Sequence, residues 1–244
     1  MTSRLFRDDL ESTSFSKWNG TSISAGETLV VQKDFVHHGG FAARATCNGS
    51  AVSEGAYCYH DPAVALSELY ARLYMRFVSH DLTVLDDRLY TIFFMNGVNL
   101  LAGLGWRYNL GPTVQWTMIV RNGAAYVNLF GGSPVVGQWY CAELYWKEDA
   151  AAGIGRVFID GKLILERTAV DTADYGSTIR VRMGIAEANN TVVANVLFDC
   201  CLIDNKYIGM ETPQRMLKPR GGDARNKCSM LSTRRGGSGF TGLK

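Results

Sequence analysis

The sequence predicts an all-β fold: a two-sheet antiparallel β-sandwich, or jelly roll, with a basic, glycine-rich C-terminal tail. Three observations support this prediction. Tight-turn dipeptides separate apolar segments, apolar and polar residues alternate along those segments, and helical periodicity is nearly absent. A chain of 244 residues that is 47% hydrophobic can bury one sizeable core as a single domain.

Tight turns mark the places where the chain reverses direction. Asn or Asp followed by Gly tolerates positive φ, which a two-residue antiparallel hairpin requires. The two strong turn signals are Asn122-Gly123 and Asp160-Gly161. Asn96-Gly97 and Asn48-Gly49 are weaker signals of the same kind. These turns predict antiparallel strand pairs.

Alternation along three segments predicts strands with one buried face, because successive side chains of a strand point to opposite sides. The segments are 70–78, 139–147 and 180–186. Their polar and aromatic sides carry Arg72, Tyr74, Arg76, Glu143, Tyr145 and Arg182. The segment 62–73 allows one helical turn before its strand begins. The whole chain is interpreted as about a dozen short strands, as in a sandwich or jelly roll.

The charge of the chain is distributed unevenly between a body and a tail. The net charge is +2, but residues 1–205 carry 16 Lys and Arg against 21 Asp and Glu, whereas residues 206–244 carry 9 against 2. The acidic body gives no electrostatic reason to bind nucleic acid. We predict a domain over residues 1–209 and a basic extended tail over 210–244, whose composition cannot pack a core alone.

No apolar run approaches the roughly 18 residues of a membrane-spanning helix, and the first twenty residues lack the apolar centre of a secretory signal. We therefore expect synthesis in the cytoplasm and no membrane span.

The six cysteines form no Cys-x-x-Cys pair and have no nearby His at the usual zinc spacing. We interpret them as buried reduced thiols, with a bridge between Cys47 and Cys58 left open. Cys200 and the next residue, Cys201, are expected on opposite faces of one strand.

His37-His38 precedes two glycines and is interpreted as part of a loop rather than as a metal-binding pair.

Both ends of the body resemble the concanavalin A-like and laminin G-like jelly rolls of the lectin and glucanase superfamily. The resemblance rests on LFRDDLESTSFSKWNGT (5–21), DFVHHGGFAARAT (34–46) and VANVLFDCCLIDNKYIG (193–209). It implies the jelly-roll fold over residues 5–209. One departure is Cys200, which stands where the family often has a second Asp after Asp199. Neither the glucanase strand Glu-x-Asp-x-x-Glu nor the lyase strand Arg-x-Glu-Leu-Arg is present.

The polar and aromatic side chains named above are the predicted glycan-binding surface, provided that their strands share the concave sheet. Aromatic rings stack on sugar rings, and Arg and Glu bind hydroxyls or carboxylates. An ordinary solvated face with cross-strand ion pairs is the competing interpretation. A polysaccharide lyase would instead use Tyr74 or Tyr145 as a base beside Arg72 or Arg76.

The first and last strands often pair in the family. Asp199 on the last strand could therefore lie close to Asp8 or Asp9 near the first. Related jelly rolls place a structural Ca²⁺ there, so Asp9 and Asp199 are the predicted ligands, and capping of a turn by a carboxylate is the alternative. No other cofactor is predicted.

The basic tail predicts docking onto acidic groups of a partner. Its cations are Arg215, Lys218, Arg220, Arg225, Lys227, Arg234 and Arg235. The leading hypothesis is therefore a non-enzymatic, lectin-like surface, decoration or adhesion protein. It would be docked by this arm on a larger assembly such as a virion or particle, and self-association into a homo-oligomer is left open. The alternative is a polysaccharide lyase or glycoside hydrolase that acts on the concave sheet face.

Overall fold

The computed structural model describes residues 4–50, 53–109, 113–189 and 192–211. Within these ranges the chain forms strands, turns and loops and no helix. The strands are β1 (Phe6–Asp8), β2 (Gly20–Ile23), β3 (Thr28–Gln32), β4 (Ala42–Asn48), β5 (Glu54–His60), β6 (Glu68–His80), β7 (Arg88–Asn96), β8 (Asn99–Asn109), β9 (Thr113–Asn122), β10 (Ala125–Gly131), β11 (Trp139–Lys147), β12 (Gly153–Ile159), β13 (Lys162–Val170), β14 (Arg180–Ala188) and β15 (Val193–Asp204).

The strands form two antiparallel sheets that pack as a sandwich. Sheet 1 has the order β13-β12-β11-β6-β15-β4-β3, with β1 also paired to β15. Sheet 2 has the order β10-β9-β8-β7-β14-β5-β2. The predicted all-β sandwich is confirmed, and the first strand pairs with the last as expected.

The core lies between the sheets and follows the alternation read from the sequence. Leu73, Met75 and Phe77 of β6 belong to one large buried cluster that also contains the inward side chains of β11 and β14. The Phe77 ring stacks on Trp106 with centroids 3.3 Å apart. Burying such large aromatic surfaces stabilises the sandwich.

The hairpin predictions hold for three of the four turns. Gly123 lies in the turn from β9 to β10, Gly161 in the turn from β12 to β13, and Gly97 in the turn from β7 to β8. All three glycines have positive φ. Gly49 also has positive φ, but its turn leads from β4 in sheet 1 to β5 in sheet 2 and closes no hairpin. The helical turn allowed within 62–73 does not form, because Leu66 bridges to Thr178 and β6 begins at Glu68.

The chain divides into two units, Met1–Met210 and Glu211–Lys244. Every described strand belongs to the first unit. The predicted docking cations of the tail lie outside the described residues. Among the described residues, no helix is long and apolar enough to cross a membrane.

Candidate functional site

A groove of about 550 Å³ lies on the outer face of sheet 2, the face turned away from sheet 1. It crosses the middle of the sheet, from β14 through β7, β8 and β9 to β10. Its lining residues are Arg88, Tyr90, Phe93, Met95, Val98, Leu100, Arg107, Ile119, Tyr126, Asn128, Arg182 and Glu187. The lining therefore combines an apolar and aromatic floor with three guanidinium groups and one carboxylate.

Two glycines on β8 create the depression. Gly103 lies opposite Phe93 on one side and Ile119 on the other, and Gly105 lies between Tyr90 and Thr117 in the same way. A Cβ at Gly103 would lie 2.7 Å from the Phe93 ring. A Cβ at Gly105 would collide with the backbone of β7. Because the central strand offers no side chains at these two positions, its neighbours form the walls of a groove.

The groove floor is apolar where β7 turns its side chains outward. Tyr90, Phe93 and Met95 form a buried cluster with Ala186 of β14, separate from the main core. The Tyr90 and Phe93 rings are 5.1 Å apart. Tyr90 is only 2% exposed, and burial raises its pKa to about 12. Its hydroxyl therefore keeps its proton at neutral pH.

The three arginines of the groove differ in their partners. Arg88 lies 3.6 Å from the Glu187 carboxylate, and Arg107 lies 2.6 Å from Asp86 at the rim. Arg182 lies opposite Phe93 in the strand register and over the Tyr57 ring, 4.8 Å from its centroid. It forms no ion pair with the described residues, and its Nε is buried without a hydrogen bond to any of them. Arg182 is thus the cation of this groove that is available to an anionic ligand.

The predicted surface on sheet 1 is arranged differently from the expectation. β6 and β11 are neighbours, and Arg72 lies directly opposite Glu143. Both are buried, with 2% and 1% of their surfaces exposed. The prediction that Arg182 shares this face is wrong, because β14 belongs to sheet 2.

A short segment, residues 205–210, covers the two buried charges, and we call it the latch segment. The Glu143 carboxylate accepts hydrogen bonds from the backbone N–H groups of Ile208 and Gly209, both at 2.9 Å. Arg72 donates to the Gly209 carbonyl at 3.0 Å and to the Cys200 carbonyl at 3.3 Å. Burial raises the pKa of Glu143, opposed by the two amide donors and by Arg72. These two side chains therefore hold backbone in this structure.

The two predicted tyrosines of sheet 1 are also covered. Tyr74 is stacked beneath the His37 ring, with centroids 3.7 Å apart, and Arg76 lies over the exposed Phe35 ring. Tyr145 is 4% exposed, stacks on Tyr70 and donates its hydroxyl hydrogen to Glu68 at 2.8 Å. Sequence alternation identifies the face correctly but carries no signal for the segments that lie on it.

The carboxylates predicted to bind Ca²⁺ have other partners. Buried Asp8 accepts hydrogen bonds from the Leu10 N–H and the Trp18 indole, which is the turn-capping alternative. Asp9 lies 3.4 Å from the Lys17 ammonium. Asp199 accepts backbone hydrogen bonds from the 37–38 loop. Among the described residues, the metal-capable group that includes Asp199 does not include Asp9, so the Ca²⁺ pairing stays a prediction.

The described cysteines are buried and form no disulfide with one another, as predicted. Cys47 and Cys58 lie on strands of different sheets, and each thiol points to a backbone carbonyl. Cys200 and Cys201 point to opposite sides of β15: Cys201 joins the main core and Cys200 joins an outer cluster with Tyr74.

Apart from Arg182, the groove residues were missed because their signal lies in strand order and in two glycines. Gly103 and Gly105 alternate within an otherwise apolar strand, which is the sequence sign of a depression on one face of a sheet. Phe93 lies in a continuous apolar run, Tyr-Thr-Ile-Phe-Phe-Met, that hides which side chains point outward.

No protein-family model matches the chain, and neither does any curated protein. Solved structures do match. An endo-β-1,4-glucuronan lyase from the fungus Trichoderma reesei has a TM-score of 0.64 at 14% identity, covering 84% of this chain and 96% of its own. The cellulose-induced protein Cip1 has a TM-score of 0.60 at 15% identity, covering 84% and 100%. A carbohydrate esterase from the Shiga toxin-encoding bacteriophage phi24B has a TM-score of 0.54 at 15% identity, covering 82% and 97%. The chain has the concanavalin A-like jelly-roll fold that the resemblance implied.

Proposed function

We propose that this protein binds an anionic glycan in the groove of sheet 2 and does so as a lectin-like module rather than as an enzyme. The observation that carries the proposal is Arg182, a guanidinium without an ion-pair partner among the described residues, set beside the Phe93 ring. An aromatic floor accepts the apolar face of a sugar ring, and an arginine binds a carboxylate or sulfate through paired hydrogen bonds. Three arginines against one glutamate in the lining favour an acidic polymer.

The structural neighbours support a carbohydrate ligand but not a particular chemistry. These neighbours include a glucuronan lyase and a carbohydrate esterase. This fold carries many functions, so the choice between binding and catalysis rests on the groove itself.

Two features of the lining favour binding over catalysis. Glycoside hydrolysis ordinarily needs two carboxyl groups that flank the scissile bond, and the lining offers only Glu187, which faces Arg88. A lyase needs a group that accepts the proton next to the uronate carboxylate. The lining offers two tyrosines that could do so, Tyr90 and Tyr126, but burial raises the pKa of both and keeps them protonated.

Binding of polyuronates to the full-length protein tests the proposal, measured by calorimetry against a neutral β-glucan. Arg182→Gln is expected to weaken polyuronate binding about tenfold or more, because a charged hydrogen bond contributes roughly 1.5 to 3 kcal/mol. Arg180→Gln is the matched control. It lies on the same strand but is engaged with Asp61 through two hydrogen bonds, at 2.6 and 2.7 Å.

The alternative function has its own readout in the same experiment. Elimination creates an unsaturated uronate that absorbs in the ultraviolet. A rise in absorbance that Tyr90→Phe or Tyr126→Phe abolishes would replace the lectin by a lyase. Polyuronate binding that is equal in wild-type and Arg182→Gln protein would overturn the groove assignment.

The tail completes the proposed function as a docking arm for a larger assembly, such as a virion or particle surface. The latch segment lies on sheet 1, the side of the sandwich opposite the groove. Size-exclusion chromatography of full-length protein and of a chain ending at Met210, with and without the native assembly, tests the arm. Unchanged association after truncation would overturn it.

A further inference from the structure

We infer that His37, Asp199 and Cys200 form a zinc-binding site on the outer face of sheet 1. One ligand atom from each residue, an imidazole nitrogen, a carboxylate oxygen and a thiol sulfur, lies within 4.8 Å of the other two. The site is separate from the groove, and the inference does not depend on glycan binding.

A bulge in β15 brings two consecutive side chains to the same side of the sheet. Asp199 lies opposite Tyr74 on β6, but the next paired residue of β15 is Leu202, opposite Arg72. Cys200 has φ of +49°, a left-handed conformation that β-strand residues rarely adopt. Its side chain consequently joins the outer cluster with Tyr74 and Cys141, whereas Cys201 returns to the core. A regular strand would have separated the carboxylate from the thiol.

The third ligand is brought in by the loop between β3 and β4. The backbone N–H groups of His37 and His38 donate to one oxygen of Asp199, at 3.2 and 3.0 Å. The His37 ring is stacked on Tyr74, at 3.7 Å between centroids, and meets the edge of Trp139. The backbone contacts and the ring stacking hold the imidazole beside the strand. The orientation of the site therefore comes from its surroundings, as in established metal sites.

The ligand types select the metal. Ca²⁺ takes six to eight oxygen ligands, and a thiol is not among the ligands it prefers. Zn²⁺ accepts sulfur, nitrogen and oxygen together at about 2.0 to 2.3 Å, and three protein ligands plus one water satisfy its tetrahedral preference. The three ligand atoms lie within 4.8 Å of one another. The distances between them need to shorten by only about an ångström for the atoms to surround such an ion. His37 and His38 lie in a loop, as the sequence predicted. In the proposed site His38 contributes only its backbone N–H, and His37 also contributes its ring.

Cobalt substitution tests the site because a thiolate bound to Co²⁺ gives a near-ultraviolet charge-transfer band. Full-length protein is first freed of metal with a chelator, then titrated with Co²⁺ and displaced with Zn²⁺. We expect one ion per chain, a charge-transfer band, visible bands of tetrahedral intensity, and loss of both upon addition of Zn²⁺.

Four variants separate the ligands from their surroundings. Cys200→Ser is expected to abolish the charge-transfer band, and both Cys200→Ser and His37→Ala to weaken Zn²⁺ binding more than tenfold. Cys141→Ser and His38→Ala are the controls, since each alters a neighbouring residue of the same type and leaves the ligands in place. Thermal unfolding of the metal-free proteins checks that the variants fold. A Zn²⁺-dependent rise in the wild-type unfolding midpoint is expected, and Cys200→Ser is expected to lose it.

Three results would overturn the site. The first is wild-type protein that binds no Zn²⁺ or Co²⁺. The second is a charge-transfer band that survives in Cys200→Ser but disappears in Cys141→Ser. The third is a midpoint that rises with Ca²⁺ and does not respond to Zn²⁺.

Discussion

Arg72 and Glu143 lie opposite each other on neighbouring strands of sheet 1, and both use their charges to hold the backbone of the latch segment. The arrangement fixes residues 208–209 on the sheet. A buried pair of this kind contributes little net stability as a pair, but removing one partner leaves the other charge uncompensated.

Glu143→Gln should therefore lower the free energy of unfolding by about 3 to 5 kcal/mol, measured by urea denaturation. The neutral amide removes the carboxylate charge opposite Arg72, and it has one acceptor oxygen where the carboxylate has two. Glu166→Gln is the control, because Glu166 forms an exposed ion pair with Arg156 at 2.6 Å and should cost less than about 1 kcal/mol. Equal losses in the two variants would contradict the role assigned to Glu143.

Gly103 should be intolerant of a side chain. In Gly103→Ala the new methyl group would lie 2.7 Å from the Phe93 ring, so the ring must move off its place in the groove. We expect a loss of about 1 to 3 kcal/mol in unfolding free energy together with weaker polyuronate binding. Gly40→Ala is the control, since its Cβ would meet only the end of Glu11 at an ordinary 3.5 Å. Full stability and full binding in Gly103→Ala would show that the groove floor does not depend on this glycine.

The sequence predicts the fold well because alternation and turn chemistry are local. The outward positions of Arg72, Tyr74 and Arg76 follow from period two alone. The segment that covers these side chains cannot be predicted from the alternation. Gly209 is more than a hundred residues away from Arg72 in the chain and is brought there by the pairing of β15 with β6. The position of Arg182 likewise needed the strand order, which places β14 between β5 and β7 in sheet 2.

Mild acid should destabilise the protein through His80. Burial lowers its pKa below the ordinary value, opposed by Asp81. Its Nδ1 also accepts a hydrogen bond from the Leu82 N–H at 3.3 Å, which requires the neutral ring. A base whose pKa is lower in the folded state binds fewer protons there than in the unfolded chain. Stability is therefore lost as the pH falls through the unfolded value of about 6.5.

Urea unfolding at about pH 7.5 and about pH 6 measures this effect. The loss of stability between the two values should be smaller in His80→Gln than in wild type. His38→Gln, which alters an exposed ring, should leave the wild-type loss unchanged. The window stays above the range in which most carboxyl groups titrate. An identical loss in wild type and His80→Gln would show that another group is responsible.

Salt should weaken the proposed glycan binding, and the size of the effect identifies the charge that carries it. Increasing NaCl from about 0.05 to about 0.5 M shortens the screening length severalfold, so contacts between guanidinium groups and uronate carboxylates lose strength. The decline in polyuronate affinity should be steep in wild type and shallower in Arg182→Gln, because that variant has lost the cation available to the ligand. Arg180→Gln should retain the wild-type slope, since Arg180 is already neutralised by Asp61. Affinity that is independent of salt would mean that the aromatic floor alone binds the polymer, and the ligand would then be a neutral glycan.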